Sequence, residues 1–263
     1  MEIFGYIAAV LIGIVLGLIG GGGSILTVPV MVYLFGIAPQ TATSYSLFVV
    51  GTTSLMGVLF RLKTGAIKPA TALLFAVSSV ITVFLTRKFI IPRLPKVLFT
   101  IAGYEIKESL VTMILFAVLM LASSISMIRK NKLQKEQTGQ QEINHTRLAV
   151  YGTGIGLVTG FLGAGGGFLI IPTLVLLCGL NMKEAVATSL LIIACNSLTG
   201  FIGDIGHFNL DWKLLGIVTC LAIIGILAGT QMAKTIKNEN LKRGFGWFVL
   251  VMGIYIIIKE LFL

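Results

Sequence analysis

The chain has 263 residues, of which 56% are hydrophobic and 11% are charged. Soluble domains carry about 25% charged residues, so this composition and the mean hydropathy of +1.00 exclude an ordinary soluble protein and indicate a polytopic α-helical membrane protein. The net charge of +10 comes largely from Lys and Arg between apolar segments, where they orient the chain and contact lipid headgroups. These cations are not interleaved with aromatic residues as in a nucleic-acid-binding surface, so we expect the lipid bilayer and no nucleic acid as a partner.

The first apolar segment, residues 3–20, runs into four consecutive glycines and resumes as a short segment at 24–36. At a helical rise of about 1.5 Å per residue, neither segment comfortably crosses about 30 Å of hydrocarbon. Glycine backbone exposed to lipid would cost several kcal/mol for each unpaired polar group, so it must be buried in protein or line a wet cavity. This pattern predicts two half-helices that meet near the middle of the membrane.

Three longer apolar segments follow and predict full spans at 42–60, 70–91 and 108–128. The connection at 92–107 is mixed in composition, which predicts a segment lying on the membrane surface. Residues 129–147 are polar, rich in Gln and basic at their start, as is typical of a flexible cytoplasmic linker.

The second half of the chain repeats the first. Gly17–Pro29 reads GLIGGGGSILTVP and Gly160–Pro172 reads GFLGAGGGFLIIP, an offset of 143 residues (160 minus 17). Identical residues recur at this offset as far as Gly57 and Gly200, which shared apolar composition does not explain. The second half therefore predicts two short arms and three full spans, at 148–163, 167–180, 184–202, 213–233 and 246–262.

We divide the chain into two transmembrane repeats and a cytoplasmic linker, at 1–128, 148–263 and 129–147 respectively. If each broken pair enters and leaves on one side, the basic loops 61–69 and 234–246 lie in the cytoplasm with the linker, as the positive-inside rule requires. The expected fold class is therefore an all-α polytopic membrane protein with two inverted repeats, each a glycine-broken helix pair plus three full spans. A basic cluster at 87–96 does not fit this scheme, which places it outside.

The two glycine breaks are the part of the sequence that indicates a binding site. A helix that begins after a glycine turn presents unpaired N–H groups and about half a positive charge, and glycine lets an oxyanion approach the backbone closely. Two such N-termini, at Ser24 and Gly167, would form an anion cradle without a buried cation, and we expect no Lys or Arg deep in any span. Inverted repeats with broken helices are typical of secondary transporters. The alternative is that the glycines only permit tight helix packing.

The candidate substrate-binding residues are the glycines of the two breaks and nearby hydroxyl and amide side chains: Gly20, Gly21, Gly22, Gly23, Ser24, Ser46, Gly163, Gly165, Gly166, Gly167, Thr188, Ser189 and Asn196. Ser46 and Ser189 occupy equivalent positions of the two repeats. The alternative role for these hydroxyls is hydrogen bonding between helices or to the carbonyl four residues earlier. Asp204 and His207 form a carboxylate–imidazole pair near a span end, a candidate for proton coupling, with an exposed loop as the alternative.

No enzyme pattern is present. The sequence has no HExxH, GxSxG or phosphate-binding GxxxxGK motif, and we expect no acid or His in the membrane interior. Cys178, Cys195 and Cys220 are widely spaced within apolar segments, which indicates neither a metal site nor a disulfide. We therefore expect no enzyme activity, no metal and no cofactor.

The duplicated blocks GGGGSILTVP and GAGGGFLIIP are followed by TATSYSLF and AVATSLLI, and the second copy continues to FNLDW. Together these motifs resemble the sulfite exporter TauE/SafE family of membrane permeases over essentially the whole chain. The resemblance implies transport of sulfite, a sulfonate or a related small organic acid across the cytoplasmic (inner) membrane of a bacterium or archaeon. It also implies that the glycine blocks and the Ser-containing segments behind them bind the substrate. The first copy departs from the second with TSYS in place of ATSL and GAIKP in place of FNLDW.

We expect a secondary transporter that moves a small sulfur-containing anion by alternating access. A permease for another organic anion, such as a carboxylate, and a non-transporting membrane scaffold are the alternatives. The coupling ion, a proton or sodium, stays open at this point, as do the direction of transport and the oligomeric state.

Overall fold

The computed structural model describes residues 2–62, 65–95, 97–101, 104–128, 145–208, 210–233 and 238–262. Within this part of the chain it contains ten α-helices and a two-stranded hairpin. The predicted linker falls mostly on 129–144, outside the described residues, and 145–147 already belong to a helix.

The helices of the first half are α1 (Glu2–Ile19), α2 (Ser24–Tyr33), α3 (Pro39–Arg61), α4 (Pro69–Leu85) and α5 (Glu108–Ile128). A π-helical turn (Thr86–Ile90) and a 3₁₀ turn (Ile91–Arg93) continue α4, and strands β1 (Val97–Ile101) and β2 (Tyr104–Lys107) precede α5. The helices of the second half are α6 (His145–Leu162), α7 (Gly167–Cys178), α8 (Met182–Asp204), α9 (Trp212–Met232) and α10 (Asn238–Phe262).

Local sequence explains where the long helices begin. Pro39 and Pro69 open α3 and α4 at positions where a helix needs no backbone N–H. Asn181 caps α8 in a capping box with Glu184, in which each side chain accepts from the other residue's backbone N–H. The side chain of Asp211 accepts from two N–H groups in the first turn of α9.

Five helices among the described residues are long and apolar enough to cross a membrane: Pro39–Arg61, Pro69–Arg93, Glu108–Ile125, Met182–Asp204 and Trp212–Met232. They coincide with five predicted spans and confirm a multi-pass, essentially all-α membrane protein. The sixth predicted span falls within α10. The short helices α1 and α2 are separated at residues 20–23, and α6 and α7 at 163–166, so both predicted helix breaks are present.

The connection predicted to lie on the membrane surface, 92–107, is more regular than expected. Its second part forms the hairpin, in which β1 and β2 pair antiparallel with a register irregularity between Val97 and Phe99. Among the described residues, this hairpin is the part of the regular secondary structure that is not helical.

The two halves are built alike and interlock. α2 and α7 begin at Ser24 and Gly167, and α3 and α8 begin at Pro39 and Met182, in both cases 143 residues apart (167 minus 24, 182 minus 39). The first helix of each half packs along the fourth helix of the other, α1 on α9 and α6 on α4. α3 packs on α8 and α5 on α10, so corresponding helices also pair with each other. The halves therefore form one body rather than two separate bundles.

Glycines bring the backbones of α1 and α9 into contact. A Cβ added at Gly225 would lie 2.9 Å from the backbone nitrogen of Ile14 and 3.0 Å from the Cα of Gly13. A Cβ added at Gly17 would lie 2.8 Å from the backbone nitrogen of Thr230. Small residues permit this close approach, which supplies the van der Waals contact that holds helices together in lipid.

We expect Gly225→Ala to destabilise the protein, because the new methyl group meets backbone atoms of α1 that cannot move aside as a side chain can. Overpacking of this kind costs about 1–3 kcal/mol. The matched control is Gly216→Ala in the same helix, where a Cβ meets nothing within 4 Å and where Ala gains up to about 1 kcal/mol of helix propensity.

The measurement is the thermal unfolding midpoint of both purified variants in one detergent. We expect the midpoint to fall for Gly225→Ala and to stay or rise for Gly216→Ala. Equal shifts in the two variants would contradict the close contact between α1 and α9.

Candidate functional site

The two glycine breaks lie against each other. A Cβ added at Gly21 would lie 2.5 Å from the carbonyl carbon of Gly167, so the two backbones are in direct contact. α2 and α7, which begin at these breaks, also contact each other. The structure therefore brings together the two helix N-termini that the sequence analysis paired. This backbone contact is compatible with both roles considered for the glycines, substrate binding and helix packing.

Both breaks use glycine geometry to end one half-helix and start the next. Gly20 and Gly163 have φ angles of 81° and 64° and donate to the carbonyls four residues earlier, at 2.8 and 2.9 Å, as in a left-handed helix C-terminus. The residues that precede α2 and α7 are Gly23 and Gly166, which offer no side-chain oxygen to the first-turn N–H groups. The N–H groups of Leu26 and Leu169 donate to the carbonyls of Gly23 and Gly166, at 3.1 and 2.9 Å. The N–H groups before them in each first turn have no helical acceptor, so they are the donors that an anion would use.

Three of the predicted hydroxyls have partners within the protein. Ser24 Oγ donates to the carbonyl of Gly21 at 2.7 Å. Ser189 Oγ donates to the carbonyl of Val186 at 2.9 Å, and Thr188 Oγ1 accepts from the backbone N–H of Lys68 at 3.1 Å. Ser24 and Ser189 therefore bond to carbonyls three residues earlier, one residue short of the expected spacing, and Thr188 bonds to a distant part of the chain, which is close to the alternative role considered for such hydroxyls.

Other polar atoms behind the breaks are buried without a partner. Ser46 Oγ and Asn196 Nδ2 have no hydrogen-bond partner, although Asn196 Oδ1 accepts from Ser79 Oγ at 2.9 Å. Further buried hydroxyls without a hydrogen-bond partner belong to residues outside the set of candidate binding residues: Thr53, Ser54, Thr159 and Ser197. The recurrence of Ser54 and Ser197 at the 143-residue offset was the available sequence signal. Unpartnered buried hydroxyls are costly and require an explanation.

Two of these hydroxyls face the second break directly. A Cβ added at Gly165 would lie 2.8 Å from Ser197 Oγ, and one added at Gly166 would meet Thr159 Oγ1. Because Gly165 and Gly166 have no side chains, they leave space beside these two hydroxyls that a larger residue would fill. The second break and these two hydroxyls therefore form one polar region inside the helical body.

The expectation of no deep cation is wrong, because Arg87 is fully buried, with 0% of its surface exposed. It lies in the π-helical turn after α4, whereas its neighbour Lys88 is exposed. A Cβ added at Gly163 would lie 2.5 Å from Arg87 Nη2, so the guanidinium lies against the second glycine break. Arg87 was expected among the surface cations of 87–96, although it follows the buried residues Ser79 and Val83 at four-residue spacing.

The partner of Arg87 is Asp204, the last residue of α8, which is 1% exposed. Asp204 Oδ2 lies 3.3 Å from Arg87 Nη1 and accepts from Ser44 Oγ at 2.5 Å. No guanidinium nitrogen of Arg87 makes a hydrogen bond within the described residues, and Asp204 Oδ1 has no partner either. The contact is therefore an ion pair that leaves most of its donors and one acceptor unused.

Two further expectations about acids are corrected. The exposed-loop alternative for Asp204 is wrong, since only His207 of that pair is exposed, and its backbone N–H donates to the carbonyl of Asp204 at 3.0 Å. The expectation of no interior acid is also wrong, because Glu108 at the start of α5 is buried as well and accepts from Gln40 Nε2.

The two repeats place charge differently at equivalent positions. The 143-residue offset relates Asp204 to Arg61 and Arg87 to Thr230. Arg61 Nη2 donates to the carbonyl of Gly17 at 2.6 Å, near the first break. Each break therefore has an arginine beside it, and at the second break that arginine has a buried carboxylate as its ion-pair partner.

Comparison with known proteins agrees with this architecture. Residues 6–256 match the sulfite exporter TauE/SafE family. A probable membrane transporter protein of Xylella fastidiosa is 27% identical over 252 residues, which cover 94% of this chain and 91% of that protein. The probable membrane transporter protein YdhB of Bacillus subtilis is 26% identical, with 88% and 90% covered. A probable membrane transporter protein of Methanocaldococcus jannaschii is 23% identical, with 96% and 94% covered. Since the family match spans nearly the whole chain, the protein belongs to the sulfite exporter TauE/SafE family and is a membrane transporter, not an enzyme.

Proposed function

We propose that this transporter moves a small sulfur-containing anion, such as sulfite or an organosulfonate, across the cytoplasmic membrane of a bacterial or archaeal cell. The observation that carries the proposal is the contact between the two glycine breaks at Gly21 and Gly167. It places the uncapped N-termini of two helices, one from each half, beside each other within the protein.

The chemistry of this region suits an oxyanion. The positive ends of α2 and α7 attract negative charge, and glycine backbone N–H groups bind oxygens at close range. The unpartnered hydroxyls of Ser46 and Ser197 and the amide of Asn196 supply further donors. The guanidinium of Arg87 adds a full positive charge beside Gly163, and arginine matches the geometry of paired oxygens.

The scaffold alternative explains the glycines but not the polar atoms. A pure packing contact in lipid would favour apolar or self-satisfied side chains, because each unpaired buried polar group is costly. The region instead combines an ion pair with several unpartnered hydroxyls. This combination favours a ligand site.

The arrangement of the halves supports transport by alternating access. α1 with α9 and α6 with α4 are equivalent contacts exchanged between the halves, so two similar arrangements of the same contacts are available to the chain. In inverted-repeat transporters such halves rock about a site at their interface. We propose that the repeats are inverted and that the glycine breaks are the point about which they move.

The first test is anion-dependent thermal stabilisation of the purified protein with sulfite, methanesulfonate, taurine, sulfate and acetate. A ligand that binds only the native state stabilises it by about 2.7 kcal/mol at one hundred times its dissociation constant. We expect sulfite or methanesulfonate to raise the unfolding midpoint more than acetate. Stabilisation by acetate alone would instead favour a carboxylate permease, and no response to any anion would favour the scaffold.

Removal of single hydroxyls tests the location of the site. We expect Ser46→Ala and Ser197→Ala to weaken anion binding about five- to tenfold, the loss of roughly one hydrogen bond. Their stability without anion should not fall, because neither hydroxyl has a partner to lose.

The matched control is Ser124→Ala in α5, whose hydroxyl donates to the carbonyl of Leu121. This variant should lose about 0.5–1.5 kcal/mol of stability and keep the wild-type anion affinity. Unchanged affinity in both site variants would remove these hydroxyls from the proposed site.

Cysteine accessibility tests the inverted repeats. In a protein with Cys178, Cys195 and Cys220 replaced, we expect Ala66→Cys, between α3 and α4, to react with a membrane-impermeant thiol reagent only from the cytoplasm. We expect His207→Cys, in the equivalent connection between α8 and α9, to react only from outside. Labelling of both positions from the same side would contradict inverted repeats.

A further inference from the structure

We propose that the Arg87–Asp204 ion pair couples anion binding to a proton. In this exchange the anion replaces Asp204 on the Arg87 guanidinium, and the released Asp204 carboxylate takes up one proton. The inference rests on the proposed anion transport and deepens it, since it assigns the coupling ion and the charge of the substrate.

The guanidinium is in the right place for an anion. It is fully buried, lies against the second glycine break at Gly163, and uses none of its nitrogens in a hydrogen bond within the described residues. Its Nη1 lies 3.3 Å from Asp204 Oδ2, without a hydrogen bond between the two groups. A bidentate oxyanion would satisfy more of these donors than Asp204 does.

Charge balance requires a proton. A lone charge buried in a protein is strongly disfavoured, and Arg87 and Asp204 together are neutral. If a monoanion takes the guanidinium, the pair and the anion carry a net charge of −1 in buried surroundings. Protonation of the Asp204 carboxylate restores neutrality, because desolvation favours the neutral form of an unpaired acid. One anion and one proton therefore bind together.

The surroundings of Asp204 allow this change of state. Ser44 Oγ donates to Oδ2, and Oδ1 is unpartnered, so the carboxyl group keeps a hydrogen bond while one oxygen is available to hold a proton. Within the described part of the chain, the other titratable groups that face the pair are His207, near Asp204, and Glu108, which faces Arg87 from α5. His207 is exposed, and Glu108 is already bonded to Gln40.

The same balance selects the substrate by charge. A monoanion with one proton leaves the site neutral, whereas a dianion with one proton leaves one negative charge in it. We therefore infer that the site takes monoanions, such as a sulfonate or hydrogen sulfite, in preference to sulfate. Sulfonates keep a single charge at all physiological pH values, which makes methanesulfonate the cleanest probe.

The test measures methanesulfonate affinity by thermal stabilisation of the purified full-length protein between about pH 5 and pH 8. One proton bound with each anion makes the dissociation constant fall about tenfold for each unit decrease in pH, wherever Asp204 is ionised without the anion. For Asp204→Asn we expect an affinity that is independent of pH and, at the upper end of the range, at least about tenfold tighter than wild type. For Arg87→Gln we expect no response at any pH.

Arg87→Gln alone leaves a buried carboxylate without its cation and can fail to fold. The double variant Arg87→Gln with Asp204→Asn removes both charges and avoids this penalty, and we expect it to unfold cooperatively and bind no methanesulfonate. Wild-type affinity in the double variant would overturn the assignment of Arg87.

Four control variants identify the group that titrates. Arg93→Gln and Glu105→Gln remove exposed charges from the connection after α4, and we expect both to keep the wild-type dependence on pH. His207→Gln and Glu108→Gln remove the other two titratable groups near the pair, and the dependence should persist in each. The inference is overturned if His207→Gln or Glu108→Gln loses the dependence of affinity on pH, or if Asp204→Asn keeps it. An Asp204→Asn variant that binds no anion also overturns the inference.

The outcomes separate the two proposals. If wild type binds none of the anions, the proposed function fails and the coupling fails with it. If wild type binds methanesulfonate with an affinity that does not change with pH, anion binding stands and only the coupling is refuted.

Discussion

The structure depends on how irregular backbone is accommodated inside a membrane. Lipid offers no hydrogen-bond partners, so a chain break within the bilayer must be covered by protein. Here each of the two breaks covers the other, with Gly21 against Gly167. The interlocking of the halves follows from this contact, because α2 and α7 belong to different halves and must stay adjacent for either break to be buried.

The interlocking also explains the distribution of small residues. Gly13 and Gly225 let α1 and α9 approach at backbone distance, and at the equivalent contact Gly156 lies against the backbone of Ser79 on α4. Contacts of this kind hold helices together in lipid without large apolar side chains. The alternating access proposed above would use equivalent contacts of this kind in the two repeats.

The two repeats differ in the charged residues at equivalent positions inside the protein. The first repeat has Arg61 where the second has Asp204, and Asp204 is paired with the fully buried Arg87. Arg87 is a cation suited to binding oxyanions, and its pairing with Asp204 keeps the net buried charge at zero, which lowers the cost of burying it.

Much of this architecture can be predicted from the sequence alone, because it depends on local patterns of residues. Apolar segments of membrane-spanning length, the glycine runs and the 143-residue offset determine the spans, the two breaks and the duplication. The burial of Arg87 was decided by the tertiary structure, since α6 and α8 pack against the turn that carries it. The burial of Asp204 was decided in the same way, because its partners Arg87 and Ser44 lie far away in the chain and only packing brings them together. Patterns along the chain report the length and polarity of its segments, whereas pairing of charges across the halves depends on contacts that no local pattern contains.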